Sequence, residues 1–264
     1  MLLLLCALTI SSKAQSPTQN YVMSKEVLDV GGTHAITTVT YYDGLGNPVE
    51  TATNGLGGTG KYAYTLQEHD ALGREKQSWL PGTAQSGCSF VSSSELSSSL
   101  IAFHNDQNPY SLNRYDVLDR QISTLGAGES WHKAKKSVNQ RYSSNESNSV
   151  KRYQVSGSGT LEENGYYAAK SLSMLEETDE DGKTKQTFSD LFGNKVLEPR
   201  DGNNDTYYVY DTIGRLRYVL SPSYQEYSDL QKLGYEYRYD KYGRCVWKRL
   251  PGCEYQQMWY DAAD

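Results

Sequence analysis

A short pattern returns six times along the chain: an aromatic or small polar residue, Asp, two variable residues, Gly, then Arg or Asn. The copies run Tyr42 to Asn47, His69 to Arg74, Tyr115 to Arg120, Ser189 to Asn194, Tyr210 to Arg215 and Tyr239 to Arg244. The third carries Asp119 in place of Gly, and a seventh begins at Tyr260-Asp261. Such repetition replaces the question of which enzyme fold is present with two others: what one unit builds, and what stacked units enclose.

The spacing predicts a β-hairpin. Asp at the first position of a turn accepts hydrogen bonds from backbone just ahead of it, and Gly three residues later tolerates positive φ, which gives a type I turn closing through a left-handed residue. That is the three-residue hairpin connection with a bulge. The flanks alternate as strands do: Tyr235, Tyr237 and Tyr239 share one face, as do Leu216, Tyr218 and Leu220. Asp190, Asp211, Asp240 and Asp261 stand 21, 29 and 21 residues apart. The longer gap holds Pro222 to Leu233, read as a short helix ended by Gly234, and a second helix is expected over Ser94 to Phe103 with a Ser cap and a following Glu. The copy at Asp116 should have a distorted or longer turn, because Asp119 tolerates positive φ less well than Gly. The expected class is mainly β, with two short helices.

The recurring Asp and Arg resemble a catalytic pair, yet a residue needed once for chemistry is not needed six times, and both satisfy local backbone and charge. The chain has 23 Tyr against 4 Phe. That excess suits a sheet with one packed face and Tyr hydroxyls reaching water. A formal net charge of −6 and the absence of a long Lys/Arg run exclude a general nucleic-acid binder; Lys133 to Lys136 is the densest basic spot. Residues Leu2 to Ile10 form an apolar stretch, and Ser12 and Ala14 place a signal-peptidase cut before Gln15, although a basic leading region is missing. That stretch is too short to span a bilayer. After such a cut Cys88, Cys245 and Cys253 remain, an odd number without zinc-site spacing.

Gly55 to Gly60 satisfies the dinucleotide-binding glycine pattern but leads into a strand pattern at Lys61 to Tyr64, where such a site needs a helix. His34, His69, His104 and His132 lack partners at metal spacing, and His69 fills the aromatic slot of its copy. There is no Gly-x-Ser-x-Gly elbow. No catalytic, cofactor-binding or metal-binding residue is expected, and no cofactor.

The repeats, together with Tyr42 to Gly46, Ser78 to Gly82, Gly126 to His132, Asp179 to Lys183, Asp205 to Asp211 and Arg249 to Gly252, resemble the Rhs or YD-repeat family, and the N-terminal portion of its Bacteroidetes branch. The resemblance implies a spiral β-sheet in which successive hairpins wind into a hollow shell enclosing a C-terminal toxin or effector, released by autoproteolysis near the shell's end. It also implies a division into a signal peptide (1–14), an N-terminal segment (15–37), an Rhs-associated β region with insertions (38–185) and YD repeats (186–264), the last incomplete. The expectation is a secreted or cell-surface, non-enzymatic opening segment of such a shell, without cleavage segment or effector. Its partner would be the missing C-terminal shell and effector region, with peripheral cell-surface association and no nucleic acid. The alternative is a cell-surface carbohydrate-binding module that uses exposed Tyr on a sheet. A sheet ending at Tyr260-Asp261 is further expected to expose an edge that pairs with another chain.

Overall fold

The computed structural model describes residues 18–54, 62–83, 87–200 and 204–261. The expected leader with its cut before Gln15 and the glycine-rich Gly55 to Gly60 loop lie outside the described residues. The fold is mainly β, in two compact units that divide between Ser137 and Val138.

The first unit contains β1 (Asn20–Val27), β2 (Ala35–Tyr42), β3 (Pro48–Asn54), β4 (Tyr62–His69), β5 (Glu75–Trp79), β6 (Gly82–Thr83), α1 (Ser93–His104), β7 (Tyr110–Tyr115), β8 (Gln121–Leu125) and α2 (Glu129–Ala134). Its strands pair antiparallel in the order β1-β2-β3-β4-β5-β7-β8, with β6 beside the start of β4. One sheet face supplies Val39, Tyr41, Ala52, Tyr64 and Leu66 to a core that α1 closes with Leu96 and Leu100. Helix α1 begins where Ser92 exchanges hydrogen bonds with Glu95, the reciprocal cap expected from sequence. Helix α2 was not expected. Its leading N–H, on Glu129, is held at 2.9 Å by both carboxylate oxygens of the remote Asp106, a cap that local sequence cannot show.

Helix α1 sits so close to β6 that a Cβ on Gly82 would lie 2.8 Å from Leu100 Cδ2 and 2.9 Å from Phe103 Cδ1. Gly82→Ala is therefore expected to destabilise the first unit by about 1–3 kcal/mol through overpacking. Urea unfolding would check this, and an unchanged midpoint would show that the helix yields freely.

The second unit contains β9 (Ser137–Ser144), β10 (Lys151–Val155), β11 (Leu161–Tyr166), β12 (Ser173–Thr178), β13 (Thr184–Ser189), β14 (Lys195–Glu198), β15 (Thr206–Tyr210), β16 (Leu216–Leu220), α3 (Pro222–Tyr227), α4 (Leu230–Leu233), β17 (Gly234–Tyr239), β18 (Cys245–Arg249) and β19 (Tyr255–Gln257). Strand β9 pairs with β12, and β12 to β19 then follow in sequence order as antiparallel neighbours. The β10–β11 hairpin forms a separate layer, with Tyr153 edge-on to Tyr207 of β15 at 5.1 Å between ring centroids.

Three readings change here. The helix expected over Pro222 to Leu233 is two, because Ser228 turns left-handed (φ 54°) and Asp229 caps a fresh start. In β16, Tyr218 and Leu220 face inward as expected, but in β17 the buried positions are Gly234 and Glu236, while Tyr235, Tyr237 and Tyr239 lie half-buried on the other face. Periodicity assigns residues to faces without saying which face is covered, and Glu236 tolerates burial because two arginines grip it. Lastly, the turn at Asp116 keeps the length and hydrogen bonds of its relatives, with Asp119 at φ 60°. The left-handed region is open to Asp at modest cost, and Arg74 Nη1 bonds the Asp119 carboxylate at 2.7 Å.

Candidate functional site

The repeats build one device, seen at its simplest in a single turn. The Asp N–H donates to the carbonyl four residues ahead and the residue three ahead donates to the Asp carbonyl, with a bulge beside each of the six copies. The Asp Oδ1 accepts the N–H groups two and four residues ahead at 2.8–3.1 Å. Its Oδ2 accepts from the side chain four ahead: Asn47 and Asn194 through Nδ2, Arg74, Arg120, Arg215 and Arg244 through Nε, at 2.7–3.0 Å. One carboxylate thus satisfies three donors, and in all six copies the donor to Oδ2 is an Arg or Asn side chain. The turn glycines lie at φ 79–86°.

In five of the copies these bonds favour the ionised carboxylate. For Asp43, Asp70 and Asp116, the side-chain hydrogen bond from Asn47, Arg74 or Arg120 is the main cause of a lowered pKa. For Asp211 and Asp240, burial works against ionisation, and the hydrogen bonds from Arg215 and Arg244 outweigh it.

The arginine also reaches the neighbouring turn. Arg74 lies 4.8 Å from the Tyr115 ring centroid and donates from Nη1 to the Asp116 carbonyl at 3.3 Å. Arg215 lies 5.3 Å from the Tyr239 ring and donates to the Asp240 carbonyl at 3.0 Å. Arg244 covers Tyr260, the aromatic of the seventh copy, at 4.7 Å. In return the Tyr hydroxyl donates to the carbonyl just after the preceding turn: Tyr115 to Glu75 (2.8 Å), Tyr210 to Lys195 (3.1 Å), Tyr239 to Leu216 (2.8 Å) and Tyr260 to Cys245 (2.8 Å). Tyr41, Tyr64 and Tyr218 likewise end on the carbonyls of Cys88, Gly87 and Gly159. At these seven positions Tyr serves where Phe could not, because its hydroxyl bonds backbone, while Tyr166, Tyr227, Tyr242 and Tyr255 are exposed. His69, in the Tyr slot, leaves Nδ1 buried without a partner.

Two turns of this kind escaped the sequence reading as copies. Asp179 to Lys183 has the full backbone pattern, and Ser156 to Thr160 repeats it with a Ser hydroxyl in place of the carboxylate. Both lack the Arg or Asn that completes the repeat, with Lys183 and Thr160 in its place.

Two grooves open in the second unit. One, about 610 Å³, is lined by Gly159, Arg217, Tyr218, Glu236, Arg238 and Arg249 among others. Arg238 holds Glu236 Oε1 through Nε (3.1 Å) and Nη2 (2.9 Å), and Arg249 holds Oε2 at 3.0 Å, so two of the three guanidinium groups are committed to one carboxylate. Arg217 donates to the carbonyls of Tyr237 and Gly159. The other, about 600 Å³, is lined largely by aromatic and turn residues, with Tyr153, Tyr167, Phe192 and Tyr208 among them. Among the described residues no three His, Cys, Asp or Glu side chains cluster as a metal site, and no helix is long and apolar enough to cross a membrane. Cys88, Cys245 and Cys253 are free thiols.

One buried acid was missed in the sequence. Glu50 of β3 is 2% exposed, seven residues past Asp43, in the register slot that Leu197 and Tyr218 fill in later copies. Among the described residues its carboxylate accepts only the Val91 N–H, at 3.1 and 3.3 Å, and burial pushes its pKa up to about 7.

The sequence profile of a family described as a domain of unknown function, DUF6443, matches residues 12–144. No curated protein matches the chain in sequence. Among solved structures, the fold is similar to the crystal structure of TcdB2-TccC3, with a TM-score of 0.53 and 12% identity over 86% of this chain and 11% of that one. It is equally similar to the Photorhabdus luminescens Tc holotoxin pore, with a TM-score of 0.53 and 12% identity over 87% of this chain and 11% of that one. The chain spans about a tenth of the length of these structures.

Proposed function

We propose that this chain, which belongs to the DUF6443 family, is a non-enzymatic wall segment of an exported Rhs/YD-type shell, the N-terminal region of the Bacteroidetes type. The observation that carries the reading is the coupling of successive turns. Arg74, Arg215 and Arg244 stack on the Tyr of the next copy, and the hydroxyls of Tyr115, Tyr210, Tyr239 and Tyr260 return to the previous hairpin, so these units bind their neighbours in a repeating sheet. Likeness in fold to components of a Tc holotoxin supports it. On this reading the partners are the C-terminal shell and effector region, the residues of the turns serve architecture alone, and the location is secreted or cell-surface after a cut before Gln15.

The test uses the protein at its native length, purified from the medium or envelope of cells that make it. The expected result is a mature N-terminus at Gln15 by mass spectrometry and a hollow, β-walled particle by electron cryo-microscopy. Retention of residues 1–14 would defeat the export claim, and a solid or flat particle would defeat the shell claim.

A second reading rests on exposed aromatics near the end of the chain. Trp259 is 81% exposed, and Tyr255 stacks on Trp247 at 5.6 Å. Such flat apolar faces with polar margins suit sugar rings. Glycan-array binding lost on Trp259→Ala would favour this module over the wall segment.

A further inference from the structure

In the first unit the repeat turns join β2 to β3, β4 to β5 and β7 to β8; in the second they join β13 to β14, β15 to β16 and β17 to β18. Antiparallel order places all three turns of a unit on the same edge of its sheet. The residue two past each Asp stands at the tip, and all six are large and apolar. Leu45, Leu72 and Leu118 are 81, 71 and 66% exposed, and Phe192, Ile213 and Tyr242 are 90, 71 and 70% exposed. Val117 and Leu191 add to the same rims.

Turn chemistry does not require this. The Asp179 turn, joining β12 to β13 on the opposite edge, has the same hydrogen bonds and Gly182 at φ 80°, yet its tip is Glu180-Asp181. The Ser156 turn carries Gly157-Ser158. Val30 is an apolar exception on the opposite edge of the first unit, in a wider loop closed by Leu28 and His34. Apolar tips thus follow the repeat edge, not the turn type. A row of exposed large apolar residues along one edge marks an interaction surface.

We infer that this rim is a docking surface for the same rim of a second copy of the chain. Neighbouring tips are two strands apart, roughly 10 Å at the usual strand spacing, so a rim of equal period can seat its tips in the gaps, in a self-complementary contact that closes on itself. Four of the six turn carboxylates, Asp70, Asp116, Asp211 and Asp240, are each paired with their own arginine, and Asp43 and Asp190 are hydrogen-bonded by Asn47 and Asn194, which limits charge repulsion between facing rims. The three tips of the second unit, Phe192, Ile213 and Tyr242, with Leu191 beside them, are 70–91% exposed; at roughly 150 Å² per large side chain the four residues present on the order of 600 Å², and two such rims bury about 1,200 Å², the lower bound of a stable interface. The inference rests on the turns alone and stands or falls apart from the shell reading.

Sedimentation velocity of the whole chain from about 1 to 100 μM tests it, comparing wild type with a variant in which Leu45, Leu72, Leu118, Phe192, Ile213 and Tyr242 are all changed to Ser. A third sample, Gln257→Pro, removes an edge N–H: Met258 donates to Val246 on β18, so in the same register the Gln257 N–H, opposite Trp247, faces away from β18, and Pro there blocks strand addition. Wild type and Gln257→Pro are expected to dimerise, and the six-fold variant to remain monomeric with unchanged circular dichroism. Should that variant misfold, Phe192→Glu and Ile213→Glu singly are expected to weaken the dimer at least ~10-fold. A wild type monomeric at 100 μM, or rim variants that associate like wild type, would overturn the proposal. Loss of the dimer in Gln257→Pro alone would assign association to the open strand edge instead.

Discussion

Raising the pH from about 5 to about 8 is expected to weaken the first unit, and Glu50→Gln is expected to abolish that loss. The groups facing Glu50 are Tyr41 across on β2, Tyr64 and Leu66 on β4, and Cys88 and Val91 in the segment leading to α1. Among the described residues Glu50 makes no ion pair, whereas Glu198 and Glu236, equally buried, are each held by cations. Its folded pKa of about 7 exceeds the ordinary 4.5. Between those values the folded state keeps a proton that the unfolded chain has released, so stability falls as pH rises, and the full loss is present above about pH 7. At 1.36 kcal/mol per pKa unit the loss is about 2–3 kcal/mol. Glu50→Gln, which mimics the protonated acid and can still accept from Val91, should therefore raise the first unit's melting temperature by several degrees at pH 8 and change it little at pH 4. Calorimetry across that range decides. A variant no more stable than wild type at pH 8 would mean that the carboxylate is solvated or compensated.

What could be read from sequence, and what could not, divides by the range of the forces involved. The hairpin turn was legible at all six copies because Asp, Gly and the Arg or Asn that follows act on backbone within four residues. Helix α1 was legible for the same reason, its cap being local. The Asp119 turn was misjudged because the compensating Arg74 comes from another hairpin. Helix α2 depends on Asp106, more than twenty residues away, and Glu50 looks like any strand acid until its surroundings are known. The recurrence of Tyr was visible, but its reason, a carbonyl on the preceding hairpin, exists only once strands are paired. The apolar residue at each tip was present in every copy and carries no local role, which is why turn chemistry alone passed over it.

Removing one turn carboxylate is expected to cost more where it bridges to an arginine than where it serves backbone only. Asp211 accepts Ile213 and Arg215 N–H groups through Oδ1 and the Arg215 guanidinium through Oδ2, and that guanidinium in turn reaches the Asp240 carbonyl and the Tyr239 ring. Asp179 accepts the Asp181 and Lys183 N–H groups in the same way. Loss of a carboxylate that caps backbone donors costs about 1 kcal/mol, and a charge-assisted bond adds about 1.5–3 kcal/mol where it is partly buried. Asp211→Ala is therefore expected to destabilise the second unit by about 2.5–4 kcal/mol and Asp179→Ala by about 1 kcal/mol. Because the Asp211 carboxylate is held below its usual pKa, its contribution is present at neutral pH and is lost as pH falls into the acid range. The gap between the two variants should accordingly close on acidification. A double-mutant cycle of Asp211→Ala with Tyr239→Phe should show coupling of about 0.5 kcal/mol or more, since both act on the placement of Arg215 and the segment after it. Additive effects in that cycle would mean that neighbouring hairpins are held by sheet pairing alone, with Arg and Tyr contributing locally and independently.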